Sequence, residues 1–122
     1  YDNFRKRSQK EREGLFSDAK GEALAAMLPV YDNVERALKQ PCSDEAYYKG
    51  VELIMRQLEE TFQKLGVKEI EAQGVPFDPN LHNAVMHVED DSLGEGIVAE
   101  VFQKGFMIGD KVARFAMVKV AN

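Results

Sequence analysis

Phe16, Ala19, Ala23, Met27, Val30, Val34 and Leu38 fall three or four residues apart, which draws one apolar stripe along a helix. Residues 1 to 40 are otherwise rich in Lys, Arg, Glu, Gln, Ala and Leu, and Pro29 is the strong breaker among them. A continuous helix of that length reaches about 60 Å. The chain has 122 residues, enough for one domain or for one small domain plus an extended element. Such a helix overhangs anything the remaining residues can build. Pro29 deletes one hydrogen bond and crowds the carbonyl four residues back, yet the stripe crosses it in phase. A kinked but continuous helix is therefore expected. Gly14 and Gly21 each cost about 1 kcal/mol relative to Ala in a helix interior, so this part should fray first.

QPCSDE, residues 40 to 45, reads as a turn. Pro41 disfavours helix at Gln40, and Ser43 or Asp44 can cap the second helix. Tyr48, Val51, Met55, Leu58, Phe62 and Leu65 repeat the helical spacing, and Gly66 is the expected end. Two helices of unequal length make a hairpin that cannot cover its own stripes. A second copy of the chain resolves this: the long helices pair as a coiled coil, and the short ones complete a four-helix bundle. The expected dimer contacts are Met27, Val30, Val34 and Leu38, with Val51, Met55, Leu58 and Phe62. Gly50, inside the second helix, serves either close helix packing or room for a partner.

From residue 67 the pattern becomes β. VKEIEA, GIVAEVFQKG and ARFAMVKVA hold β-branched residues in short alternations bounded by glycine. The expected class is α+β, divided into a long dimerising helix at 1–40, a turn and second helix at 41–66, and a mostly antiparallel β-domain at 67–122. In the last strand Arg114, Ala116, Val118 and Val120 share one face, and Ala113, Phe115, Met117 and Lys119 the other. Apolar residues occupy both faces. Either both are covered within the fold or one is an exposed patch that takes a partner.

FDPNLHNAVMHVEDD, residues 77 to 91, holds both histidines and four acidic residues. His82 and His87 are five apart, about 140° round a helix and on opposite faces of a strand, so they do not converge on one ion. The spacing of four in a zinc-protease helix is absent. Asp78-Pro79 instead reads as a cap and first helical turn, with His82 bonded or packed locally and a strand through Val85 to Val88. GFMIGD, residues 105 to 110, lacks phosphate-loop spacing and reads as a hairpin turn. No nucleophile with a base is visible, and no catalytic, metal or cofactor-binding residue is assigned; the chain is not expected to be an enzyme. A metal-dependent hydrolase using the histidines is the weakest reading.

Composition narrows the partners. The net charge of −5 argues against wholesale nucleic-acid binding. Arg5 to Arg7 form the compact basic cluster; residues 1 to 13 sum to +2, which leaves −7 for the rest. That cluster is either a solvated helix face or a docking patch for an acidic surface. Cys42 is the single cysteine, so no intrachain disulfide is possible and a reducing compartment fits. No apolar run approaches the roughly 20 residues that span a bilayer, and no membrane association is expected. No signal peptide is visible, and the chain opens at Tyr1 inside a helix-like pattern, so a preceding segment is expected.

These features together resemble the GrpE family of nucleotide exchange factors. FDPNLHNAV looks like the family's signature opening, with Phe77, Asp78, Pro79, His82 and Ala84 in place. GFMIGDKVARFAMVKV looks like its close, with Gly105, Phe106, Asp110, Arg114, Ala116, Val118 and Val120 in place. NFRKR at 3 to 7, LPVYDNVERAL at 28 to 38 and KGVELI at 49 to 54 agree as well. The resemblance covers essentially the whole chain. It implies a homodimer that binds the nucleotide-binding domain of a DnaK-type heat-shock chaperone and releases its ADP, with no cofactor. By position it puts chaperone contacts at Arg5, Arg36, Gly50, Val85, Phe102, Met117 and Val120. It also implies temperature sensing by melting of the long helices, and a location in the bacterial cytoplasm, or in the mitochondrial matrix or chloroplast stroma of a eukaryote. The sequence departs from the family pattern at Gly14, Ala113 and Phe115. The alternative is a structural coiled-coil protein whose β-domain caps the dimer.

Overall fold

The computed structural model describes residues 2–122, with the side chains of residues 13–17 left outside the description. The side-chain expectations at Gly14 and Phe16 therefore lie outside the described residues. The chain forms two compact units, residues 1–66 and 67–122.

The first unit is a helical hairpin. Helix α1 (Asp2–Leu38) runs for 37 residues and continues through Pro29. Helix α2 (Glu45–Lys64) has 20 residues. Of the two candidate caps it is Asp44 that acts, its carboxylate accepting the Tyr47 amide at 3.1 Å. Gly66, at φ +79°, follows the C-cap Leu65 in the left-handed conformation that glycine adopts freely. The Tyr48 hydroxyl donates to the Leu38 carbonyl at 3.2 Å, satisfying an acceptor at the end of α1. The Tyr31 and Phe62 rings stack at 5.8 Å, so the end of α1 lies beside the start of α2 and the helices run antiparallel.

On α1 the seam is not the stripe expected from sequence, whereas on α2 it uses Met55 and Phe62 of the expected stripe. On α1 the buried residues are Leu24, Leu28 and Tyr31, and on α2 Met55 and Phe62. Met27 and Val30 are 56% and 60% exposed, and Val34 and Leu38 are half-buried. Helix α1 thus has two apolar faces, about 90° apart at 100° per residue. The expected dimer set divides accordingly. Met55 and Phe62 pack inside the chain's own hairpin, Val51 and Leu58 are half-buried, and the α1 members lie outward or at the margin.

The second unit has six strands in two three-stranded sheets. They are β1 (Val67–Glu69), β2 (His82–Val88), β3 (Val98–Gln103), β4 (Phe106–Ile108), β5 (Lys111–Arg114) and β6 (Ala116–Ala121). One sheet has the order β1–β4–β5, all antiparallel. The other has the order β2–β6–β3, in which β3 runs antiparallel to β6 and β2 parallel to it. The GFMIGD segment makes the β4–β5 hairpin, with Gly109 at φ +57° in its turn. Ile70, Ala72, Val98, Ala116, Val118 and Val120 form the core, flanked by Phe77, Leu81, Ala84, Val101, Met107 and Val112.

The closing segment is two strands, not one. The chain changes sheets at Phe115, and it changes sheets again between Gln103 and Phe106. The two crossings lie against each other at Gly105. A Cβ there would stand 2.3 Å from the Ala116 nitrogen and 2.8 Å from the Arg114 oxygen. Only glycine allows backbones to approach this closely. The Gly105 carbonyl accepts the Ile70 amide at 2.8 Å. The Arg114 guanidinium straps the crossing by donating from Nε to the Lys104 carbonyl at 2.9 Å, and it lies over the Phe106 ring.

Candidate functional site

The histidine-rich segment resolves into structural chemistry. Asp78 Oδ1 accepts the Asn80 amide, and the Asp78 carbonyl accepts the amides of Leu81 and His82, which closes one turn. Strand β2 then begins at His82, three residues earlier than the sequence suggested. His82 is the buried polar side chain among the described residues. Its Nδ1 accepts the Asp78 amide at 3.0 Å, and its Nε2 lies 2.8 Å from the Glu71 carbonyl. Since Nδ1 accepts, the neutral ring carries its proton on Nε2 and donates it to Glu71. Both nitrogens are engaged, and neither is left for a metal or a substrate. His87 is exposed farther along β2. Among the described residues no three His, Cys, Asp or Glu side chains gather to hold a metal, and no helix is long and apolar enough to cross a membrane.

The β2–β6–β3 sheet has one core face and one open face. Ala116, Val118 and Val120 of β6 point into the core, so Met117 and Lys119 point outward. Residues paired with those two share their face: Asn83 and Met86 on β2, Glu100 and Gln103 on β3. Val85 alternates out from the inward Ala84, and Phe102 presents its ring beside the Lys119 ammonium. Val85, Met86, Phe102 and Phe115 are all about half exposed. The structure thus gathers Val85, Phe102 and Met117 on one outer face. Val120 does not join them. It is 5% exposed and belongs to the core, because β6 alternation turns it away from Met117. Met86 and Glu100 also belong to the outer face, which only the pairing of β6 with β2 and β3 reveals, and Lys119 shares it with Met117 as the alternation of the last strand implied.

The helical unit carries a second open apolar surface. On α2 and its C-cap, Tyr47, Ile54 and Leu65 are exposed and fall on one stripe with the half-buried Leu58. That stripe is rotated about 80° from the seam, in the same sense as the Met27–Val30–Val34 stripe of α1. In an antiparallel pair, rotations of the same sense bring both stripes to the same side of the hairpin. Gly50 borders this side, and a Cβ on it would meet nothing within 4 Å. Close packing inside the chain is therefore not what Gly50 serves. Arg36 is exposed, bonded to Asn33 Oδ1 at 3.2 Å, and lies about 150° round α1 from the apolar stripe. A cover laid on the stripe leaves it open. Arg5 is exposed near the start of α1, where Arg7 pairs with Glu11.

The family model for GrpE matches residues 1–122. This chain belongs to the GrpE family. It is 54% identical over 122 residues to Protein GrpE of Clostridium beijerinckii, and 52% identical to that of Clostridium acetobutylicum, in each case over the whole of this chain. Protein GrpE of Brevibacillus choshinensis is 43% identical over 98% of the chain and 68% of its own length. The chain spans 58% and 60% of the two clostridial proteins, so it corresponds to a part of each. Within this GrpE chain, the features that carried the resemblance are largely structural: the Asp78 turn, His82, Gly105 and Arg114 build the β unit. The open surfaces lie elsewhere, on the outer sheet face and along the hairpin.

Proposed function

We propose that this chain is the chaperone-engaging part of an adenyl-nucleotide exchange factor. It binds the nucleotide-binding domain of a DnaK-type heat-shock chaperone, opens the cleft and speeds ADP release. Membership of the GrpE family carries the reading. The outer sheet face supports it, with the exposed Val85 and Phe102 and the half-buried Met117 on one side of the β2–β6–β3 sheet. Arg5, Arg36 and Gly50 are the contacts that the family resemblance places on the helical unit. Such a protein makes and breaks no bond. It accelerates release by binding the open form of its partner more tightly than the closed form, and the shift is limited by that difference in affinity.

The factor works as a homodimer. The apolar side of the hairpin, with Met27, Val30, Ile54 and Tyr47 more than half exposed, supports this. A second copy covers it by pairing the long helices and completing a four-helix bundle. Its place is the bacterial cytoplasm, or the matrix or stroma of an organelle. The same apolar side also suits a purely structural coiled-coil protein, and one experiment separates the two. In stopped-flow release of a fluorescent ADP analogue from a DnaK-type chaperone of the same source, the exchange factor gives a large, concentration-dependent acceleration. Arg36→Ala and Gly50→Asp then weaken it. A folded dimer that leaves release unchanged overturns the exchange reading and leaves the structural one.

A further inference from the structure

Phe102 occupies an unusual position in β3. The pairing with β6 shifts register between Val101 and Gln103, so Phe102 is the extra residue of an irregularity and has no residue opposite it. Such insertions re-aim a side chain, and they also deprive it of the cross-strand neighbour that would hold it. A half-exposed ring without that support is free to change rotamer. Here the Lys119 ammonium stands 5.6 Å from the ring centroid, within the range of a cation–π contact. Lys119 is held in turn: its Nζ lies 3.1 Å from Glu100 Oε2, and Glu100 is its direct partner across the strands. The lysine side chain is three-quarters covered, whereas the Glu100 carboxylate stays half exposed. The three side chains form a chain of restraint on the outer face, from carboxylate to ammonium to ring.

We propose that Lys119 is a positioning residue for docking, which acts by holding the Phe102 ring in its outward orientation, with Glu100 anchoring Lys119. This rests on the reading of the outer sheet face as the chaperone-binding surface. A ring already fixed loses less freedom when the partner covers it. The Glu100 pair also neutralises the ammonium, so the face presents an apolar ring and not a bare charge to the partner.

The test uses the full-length protein and its cognate DnaK-type chaperone. The concentration giving half-maximal acceleration of ADP-analogue release is measured for the parent, Lys119→Ala, Lys119→Arg, Phe102→Ala and the Lys119→Ala/Phe102→Ala double variant. Lys119→Ala is expected to raise it about two- to fivefold, the factor corresponding to an exposed cation–π contact. Lys119→Arg, which also stacks on aromatic faces, is expected to restore most of that. In the Phe102→Ala background Lys119→Ala is expected to change nothing further, since the ring it holds is gone. Ring-proton chemical shifts of Phe102 in the free protein are expected to move in Lys119→Ala. Full additivity of the two substitutions, or unmoved ring shifts, overturns the positioning role. If Phe102→Ala is itself silent, the docking face is wrong and the inference falls with it.

Discussion

Gly105→Ala tests the crossing of the two sheets most directly. The added Cβ would stand 2.3 Å from one backbone atom and 2.8 Å from two others. Ordinary contact needs about 3.4 Å or more, and none of the three atoms is the movable tip of a side chain. They belong to Arg114, Phe115 and Ala116, held at either end by the pairing of β5 with β4 and of β6 with β2 and β3. The unfolded chain loses some entropy on Gly→Ala replacement, a gain of about 0.4–1 kcal/mol for the folded state where no strain arises. Overpacking costs about 1–3 kcal/mol and more when backbone must move, so the net loss is expected to be about 2–3 kcal/mol. A unit of this size has total stability of about 3–8 kcal/mol at typical per-residue values. The substitution thus removes a large share of it. Urea unfolding followed by circular dichroism gives the loss, and amide hydrogen exchange locates it. Protection should fall at Ile70 and Ala116 and stay unchanged in α2. Gly109→Ala, where φ is +57° but no atom is within 4 Å, should cost only about 1–2 kcal/mol. A Gly105→Ala protein with an unchanged urea midpoint would refute the argument.

Four other outcomes are expected. Gly50→Ala adds a methyl group that meets nothing, so it should stabilise α2 by about 0.5–1 kcal/mol in thermal unfolding; lower stability would mean an unseen neighbour. His82→Ala removes a buried ring and leaves the Asp78 amide and the Glu71 carbonyl without partners, for a loss of about 2–4 kcal/mol in urea unfolding. Ile54→Asp puts a charge on the open side of the hairpin, and sedimentation should show dissociation to monomers with the helical signal of α2 retained. Asp90 gives a pH effect. Hydrogen bonds from the Ser92 hydroxyl and then the Ser92 amide hold its carboxyl below the ordinary value of 3.8. A lowered folded pKa contributes stability that is present above the ordinary value and lost as pH falls through the folded one. The urea midpoints of the parent and Asp90→Asn should therefore converge as the pH is lowered below about 4, and a gap independent of pH would count against it.

Periodicity made α1 and α2 legible, because side-chain spacing along a helix is a local property. The Asp78 turn and the Gly66 terminus were legible for the same reason. The inner face of α1 was not. Leu24, Leu28 and Tyr31 lie beside the Met27–Val30 stripe, and a helix with two apolar faces does not announce which one its own hairpin uses. The docking residues inferred from the resemblance come together as a surface at Val85, Phe102 and Met117, whereas Val120 turns inward. Alternation in the last strand already separated Val120 from Met117, but only the packed core shows which of the two faces is covered.

The sequence by itself determined the helical and β segments, a cap at Ser43 or Asp44, the helix end at Gly66 and the membership of a family. Each follows from residues a few positions apart, or from a motif read in order. The tertiary structure alone decided the parallel pairing of β2 with β6, the change of sheet at Phe115 and the close approach at Gly105. It also set Lys119 over Phe102, across two strands joined by an intervening hairpin. Those contacts join residues distant along the chain, and only packing a shared core selects among the registers that local preference leaves open.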